Sequence, residues 1–341
     1  MEEIIDFLKS KMTVEEVGGG LHTRHVLGVL NPPVSNTIKE IREYFSKTDY
    51  TPIFDTKKKK QVVRFGIFKK AENKPKYWLN IVLFIATLLS TSFAGYLNYG
   101  NVYLGILFSL SIMAILTCHE LGHYFVSRKA GMITTLPYFI PVPFHFIGTF
   151  GAVIRMKSLV PDRSSLLRVG MAGPIAGFLV ALPITIIGIA LSEIRTAVEG
   201  AAYIQLGNSL LFAFLANVLH PSIPEGADVF LHPMAFAGWL GFLVTSMNLI
   251  PIGQLDGGHV GYSVFVRQRR FMYVPIFAGL VALGFLWPGW FIWGLLAFFL
   301  ARRDPVIQDS ITPLTTQEKI MALWPLLILI LTFIPQPFKI W

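Results

Sequence analysis

The chain has 341 residues, of which 53% are hydrophobic and only 14% charged. Soluble domains carry about 25% charged residues, so the composition excludes an ordinary soluble enzyme and points to a multi-pass integral membrane protein, mainly α-helical. The net charge of +9 suits basic residues at membrane flanks, which orient spans and meet anionic lipid, rather than nucleic-acid binding.

Residues 1–75 read as a small soluble α+β unit on the cytoplasmic side. Residues 1–12 suit an amphipathic helix with Ile4, Ile5, Phe7 and Leu8 apolar, and the glycines at 18–20 and Asn31-Pro32-Pro33 break the chain. A helix follows over 35–46, capped by Ser35 or Asn36, with Ile38, Ile41 and Phe45 on one face. Stretches 50–55 and 61–68 alternate like two strands across the lysines at 57–60. That run reads as a solvated turn and, with Lys69, Lys70, Lys74 and Lys76, marks this side as cytoplasmic. The region ahead of Trp78 is largely polar, so no secretory signal is expected before the first span.

A membrane core is expected over 76–260 and further C-terminal helices over 261–341, about six to seven spans in all. The first span, 78–96, has Trp78, Tyr96 and Tyr99 as interfacial anchors. The second, 102–129, returns inward to Arg128-Lys129 and contains His119-Glu120-Leu121-Gly122-His123. Histidines four apart share one helix face, giving two imidazole ligands for zinc with a carboxylate base beside them. Between positions 102 and 126 the only other ionisable groups are a thiol and phenols. Such charges cost roughly 2.5–3.5 kcal/mol each at bilayer depth unless paired or coordinated, which makes a divalent cation their simplest partner. Cys118, the only cysteine, excludes an internal disulfide or a cysteine-based zinc site and reads as a packing residue.

Stretch 131–158 holds Pro137, Pro141 and Pro143, which defeat a helix, and then a strand-like run from Gly148 to Arg155. It is too apolar for a loop in water. A re-entrant extended segment beside the metal site fits, as does a plain structural hairpin; an exposed edge there could pair with an unwound substrate. His145, between Phe144 and Phe146, reads as a pocket or interface residue. The third span, 166–191, carries Gly170, Gly173 and Gly177 along one side, a spacing that permits close helix contact, and Pro174 to bend it. Stretch 201–218 is apolar, yet if it crossed, the next motif would face the wrong side; an external, half-inserted helix is expected instead. His220 and His232 in its flanking loops read as unrelated to the metal.

The fourth span, 233–252, ends in Asn248-Leu249-Ile250-Pro251-Ile252-Gly253-Gln254-Leu255-Asp256-Gly257. A zinc with two histidines needs a third protein ligand, and Asp256 is the only carboxylate between positions 231 and 271. Taken alone it would be an ordinary turn at a helix exit; its depth and side match those of the histidine pair. Arg267, Arg269 and Arg270 follow, then an antiparallel pair over 271–287 and 290–300 and a weak last span near 324–334.

These paired motifs, over roughly 103–259, resemble the site-2 protease family of intramembrane zinc metalloproteases. The stretch 148–157 and Gly173-Pro174 are similar to family versions with a longer N-terminal region. The resemblance implies zinc held by His119, His123 and Asp256, Glu120 as catalytic base, and Asn248 positioning substrate or stabilising the oxyanion. It implies hydrolysis of peptide bonds in the membrane-spanning segments of single-span substrates, with the lipid bilayer of a cell membrane as the expected setting. A metal-ion transporter using the same cluster as a transit site is the alternative, and would need a second polar cluster continuing to the far face.

Overall fold

The computed structural model describes residues 2–19, 23–57, 60–66, 77–196, 204–224, 226–266, 269–302 and 305–340. The lysines at 58–59, stretch 67–76 and Arg267 lie outside these ranges, and with them part of the basic signal used for orientation.

The N-terminal unit runs α1 (Glu2–Lys11), β1 (Met12–Gly19), β2 (Thr23–Leu30), α2 (Val34–Ser46), β3 (Thr51–Lys57) and β4 (Lys60–Gly66). Ile4 and Leu8 of α1 meet Ile38, Ile41 and Phe45 of α2 over Val26, Phe54, Val63 and Phe65, so the apolar face expected on α2 is the buried one. Helix α2 starts one residue early. Pro33 occupies its N-cap position, and the Asn36 and Thr37 amides donate to the Pro33 carbonyl, so neither Ser35 nor Asn36 caps it. Strands β1 and β2 were not expected. A bulge between Val14 and Glu16 interrupts the alternation, and Gly28 lies so close to the Thr13 carbonyl that a Cβ there would collide.

Next come α3 (Tyr77–Tyr99), α4 (Val102–Lys129), β5 (Tyr138–Pro141), β6 (Thr149–Val153), β7 (Val160–Asp162) and α5 (Arg163–Ala190). Among the described residues α3, α4 and α5 are the helices long and apolar enough to cross a membrane. Ile81, Ile85 and Leu89 of α3 face outward, as a lipid-facing side should. On its other side Gly95 meets the backbone of Gly105, and Thr91 and Ser109 share a 2.6 Å hydroxyl hydrogen bond. The antiparallel β5–β6 hairpin lies along α3. Asn80 donates to the Leu136 and Pro137 carbonyls, Ser90 to Gly148 at 2.6 Å and Asn98 to Phe146 at 2.8 Å. From Asn80 to Asn98 a helix rises about 27 Å, close to the ~30 Å hydrocarbon core of a bilayer.

The rest of the chain runs β8 (Glu193–Thr196), β9 (Ile204–Leu206), α6 (Leu210–Leu219), β10 (Ala227–Phe230), α7 (Pro233–Leu249), α8 (Asp256–Val264), α9 (Arg269–Gly284), α10 (Gly289–Leu300), β11 (Ile307–Asp309), α11 (Thr316–Met321), α12 (Leu323–Thr332) and β12 (Phe338–Ile340). Within the stretch expected as one external helix, the described helix is α6 alone. Its ten residues rise about 15 Å, half a bilayer core, and Ser209 caps it by accepting the Phe212 amide. Helix α7 is buried almost throughout between α4, α5 and α12.

One sheet draws on distant parts of the chain. Its order is β1-β2-β4-β3-β11-β7, with β11 parallel to both β3 and β7. Arg42 of α2 donates to the Pro161 carbonyl at 2.7 Å, and Asp162, closing β7, caps α5 through the Ser165 amide at 2.7 Å. At the same end Glu318 pins α11 to α5, accepting from Ser164, from Arg168 at 3.0 Å, and from the amide and hydroxyl of Thr315 at 2.9 Å.

Burial pushes the Glu318 carboxyl up, but the Ser164, Thr315 and Arg168 donors outweigh it and hold the group at about 2 against an ordinary 4.5. A depressed carboxyl contributes stability that is complete above the unfolded-state value and fades as pH falls toward the folded one. Glu318→Gln is expected to cost about 1–3 kcal/mol at neutral pH. The gap in unfolding midpoint between variant and wild type should narrow as pH drops below 4.5. A gap that stays constant with pH would mean that the charge on Glu318 contributes nothing.

Candidate metal centre

His119 and His123 stand one turn apart towards the C-terminal end of α4, both buried. Helix α5 makes room for them by lacking side chains where it faces them. A Cβ at Gly173 would fall on His123 Nε2, one at Gly177 would lie 3.1 Å from His119 Nδ1, and one at Gly170 2.9 Å from His259 Cβ. The glycine row expected for helix packing therefore also walls the imidazole pocket. Gly122, inside the histidine motif, lets α4 approach Ala172 of α5.

The third group arrives through a break in the chain. Helix α7 stops at Leu249, Gly253 adopts φ +53, and α8 begins at Asp256. A Cβ at Gly257 would collide with the Leu249 carbonyl and one at Gly258 with the Gly253 and Ile252 carbonyls. Only glycines let the first turn of α8 fold back against the end of α7, and that fold sends Asp256 toward α4.

The result is a compact set of three donors. His119 Nε2 lies 3.2 Å from Asp256 Oδ2, His123 Nε2 3.2 Å from Asp256 Oδ1, and the two Nε2 atoms 3.3 Å apart. A tetrahedral ion bound at about 2.05 Å holds its ligands about 3.3 Å from one another; the two imidazole nitrogens have that spacing, each meets a different carboxylate oxygen, and one ligand atom from each of the three residues lies within 4.8 Å of the others, so the set can close on one ion. His123 Nδ1 is 2.8 Å from the Val169 carbonyl. Donation there puts the ring proton on Nδ1 and leaves Nε2 with its lone pair, the tautomer a metal ligand needs.

The other expected residues fall as follows. Glu120 is buried outside the three-donor set, within electrostatic reach of the backbone N–H of Ile154, just past β6. Asn248 lies in the last turn of α7, partly buried. His145 packs on Phe146 and Phe150, His220 bonds the Ile189 carbonyl at 2.8 Å, and His232 caps α7. Among the described residues none of these three joins the metal donors, and neither does Cys118. Three contributors went unanticipated. The Val169 carbonyl and the Ile154 amide are backbone groups that no residue pattern announces. His259, one turn beyond Asp256 and against Gly170, had a legible signal in its i+3 spacing.

The profile of peptidase family M50, the site-2 proteases, matches residues 107–286, more than half of the chain and both motifs. The chain belongs to this family. It is 32% identical over 231 residues to the probable zinc metalloprotease EGY2, chloroplastic, of Arabidopsis thaliana, covering 66% of this chain and 40% of that one. To the protein of the same name from Oryza sativa subsp. indica it is 30% identical over 269 residues, covering 76% and 47%. To the probable zinc metalloprotease EGY1, chloroplastic, of Arabidopsis thaliana it is 30% identical over 233 residues, covering 66% and 42%. The chain thus spans less than half the length of these curated relatives. No solved structure matches it.

Gly173→Ala is expected to lower zinc affinity by at least about tenfold, the usual cost of disturbing what orients a ligand. The check is zinc per chain in purified protein. Gly279→Ala, where a new Cβ meets nothing within 4 Å, serves as the control and should keep its zinc. Equal zinc in both variants would contradict the pocket wall assigned to α5.

Proposed function

We propose that this M50 family member is a zinc-dependent endopeptidase that hydrolyses peptide bonds within the membrane-spanning segments of single-span proteins. The observation that carries this reading is the convergence of His119, His123 and Asp256, the imidazole nitrogens 3.3 Å apart and each 3.2 Å from one carboxylate oxygen, set among membrane-length helices with Glu120 next to the first donor. Zinc held by those three side chains would act as a Lewis acid on the scissile carbonyl and make its water a usable nucleophile near neutral pH.

The chain's own groups do the rest. Glu120 takes a proton from the attacking water and passes it to the leaving amine as the carbon–nitrogen bond breaks. The Ile154 N–H, just past β6, lies close enough to favour the Glu120 carboxylate. In the described structure β6 pairs with β5 alone, leaving its second edge for an added strand. An unwound substrate paired there would run toward Glu120 with its backbone donors satisfied, which open peptide inside a bilayer requires. Asn248 is assigned to substrate positioning or to the oxyanion, since its amide sits in the turn of α7 that leads into the Asp256 segment.

The same reading places α7 as a fourth span and the shorter apolar helices α9, α10 and α12 as the remaining ones, six to seven in all with α6 half-inserted. The basic residues at the ends of α4 and α10 and the start of α5 put the N-terminal unit on the cytoplasmic side.

Glu120→Gln separates binding from chemistry. The variant should keep its zinc and lose cleavage of a single-span substrate in detergent or proteoliposomes by about 10²–10⁴-fold, the usual contribution of a general base. Cleavage at the wild-type rate would remove Glu120 from the mechanism.

A further inference from the structure

A second cavity, of about 710 Å³, opens between the N-terminal sheet and the end of α8 remote from Asp256. Its walls include Asp55, Thr56 and Arg64 of the β3–β4 hairpin, Arg163 at the start of α5, Tyr262 of α8 and Ser310 just after β11. Four separated chain segments thus converge on it, and polar side chains come from each.

Its charge is positive. Arg163 donates through Nε and Nη2 to the Ser263 carbonyl at 2.9 and 2.8 Å, capping the C-terminal end of α8, whose carbonyls would otherwise repel an anion. Carbonyls do not neutralise a guanidinium, and Asp309, the carboxylate whose charge acts on Arg163, also faces Arg42 at 3.9 Å. The one carboxylate in the lining, Asp55, is held by Arg64, by the Thr56 amide at 2.7 Å and by the Ser310 hydroxyl at 3.2 Å. Membrane orientation accounts for basic residues on this side; it does not account for a polar cavity with arginines and hydroxyls in its wall.

We propose that this cavity binds a phosphate-bearing anion. Guanidinium groups present planar forks of donors matched to phosphate oxygens, with the hydroxyl of Thr56 as a further donor. The volume lies within the range of small-molecule sites, about 300–1,000 Å³. Two sources share this chemistry: a soluble polyphosphate or phosphorylated metabolite, and the headgroup of an anionic lipid reaching in beside the start of α5. The site stands apart from the metal centre, so binding is read without any cleavage assay.

The full chain in phosphatidylcholine nanodiscs is titrated with inorganic tripolyphosphate by calorimetry. In parallel, protein from phosphatidylcholine–phosphatidylglycerol nanodiscs is examined by native mass spectrometry for retained phosphatidylglycerol. Saturable binding in either arm is expected, and the arm that responds identifies the source. Arg64→Gln should weaken it by at least about tenfold, the loss of one hydrogen bond to a charged group. Lys39→Gln removes the same charge from the exposed side of α2, outside the lining, and should change nothing. Ile53→Trp, which fills the cavity without altering charge, should also abolish binding and covers the case in which Arg64→Gln misfolds. Absence of saturable binding in both arms, or equal weakening by Arg64→Gln and Lys39→Gln, would overturn the proposal.

Discussion

Three polar side chains held among apolar helices, with one ligand atom from each within 4.8 Å of the others, are the constraint on which the catalytic half of the molecule depends. Bringing two imidazoles and a carboxylate out of water costs several kcal/mol unless a cation repays it. The surrounding sequence can be understood as what permits that meeting. Glycines on α5 leave space for the rings, glycines after α7 turn Asp256 toward them, and the Val169 carbonyl fixes the tautomer of one ring.

The N-terminal sheet bears on the same helix from the other end. Its last strand, β7, runs straight into α5 through the Asp162 cap, and α5 carries both the Val169 carbonyl and the glycine wall. β11 sits between β3 and β7 and belongs to the C-terminal part of the chain, so three distant segments share one sheet. Glu318 adds a further tie from α11 to the first turns of α5. Helix α5 is thus the element through which the N-terminal unit and the metal centre are mechanically joined.

What could be read from the sequence was what depends on local spacing or on the cost of charge in lipid. The histidine pair, Glu120 and the pairing with Asp256 follow from those two principles, and the prolines of 131–158 announce a hairpin instead of a helix. The missed features depend on distant partners. β7 and β11 are three residues each and parallel, with no periodicity to reveal them. The bulge in β1 breaks the alternation that identifies a strand, and the prolines before α2 displaced the polar cap expected there. The glycines of α5 were legible as small residues, while the imidazoles they accommodate lie on another helix.

The central claim is that the two histidines and the aspartate grip one ion, and zinc K-edge X-ray absorption on the purified, catalytically intact chain tests it directly. One zinc per chain is expected, with nitrogen and oxygen neighbours at about 2.0–2.2 Å, imidazole outer-shell scattering and no sulfur. A sulfur in the first shell, a shell lacking imidazole, or no stoichiometric zinc after reconstitution would contradict the account.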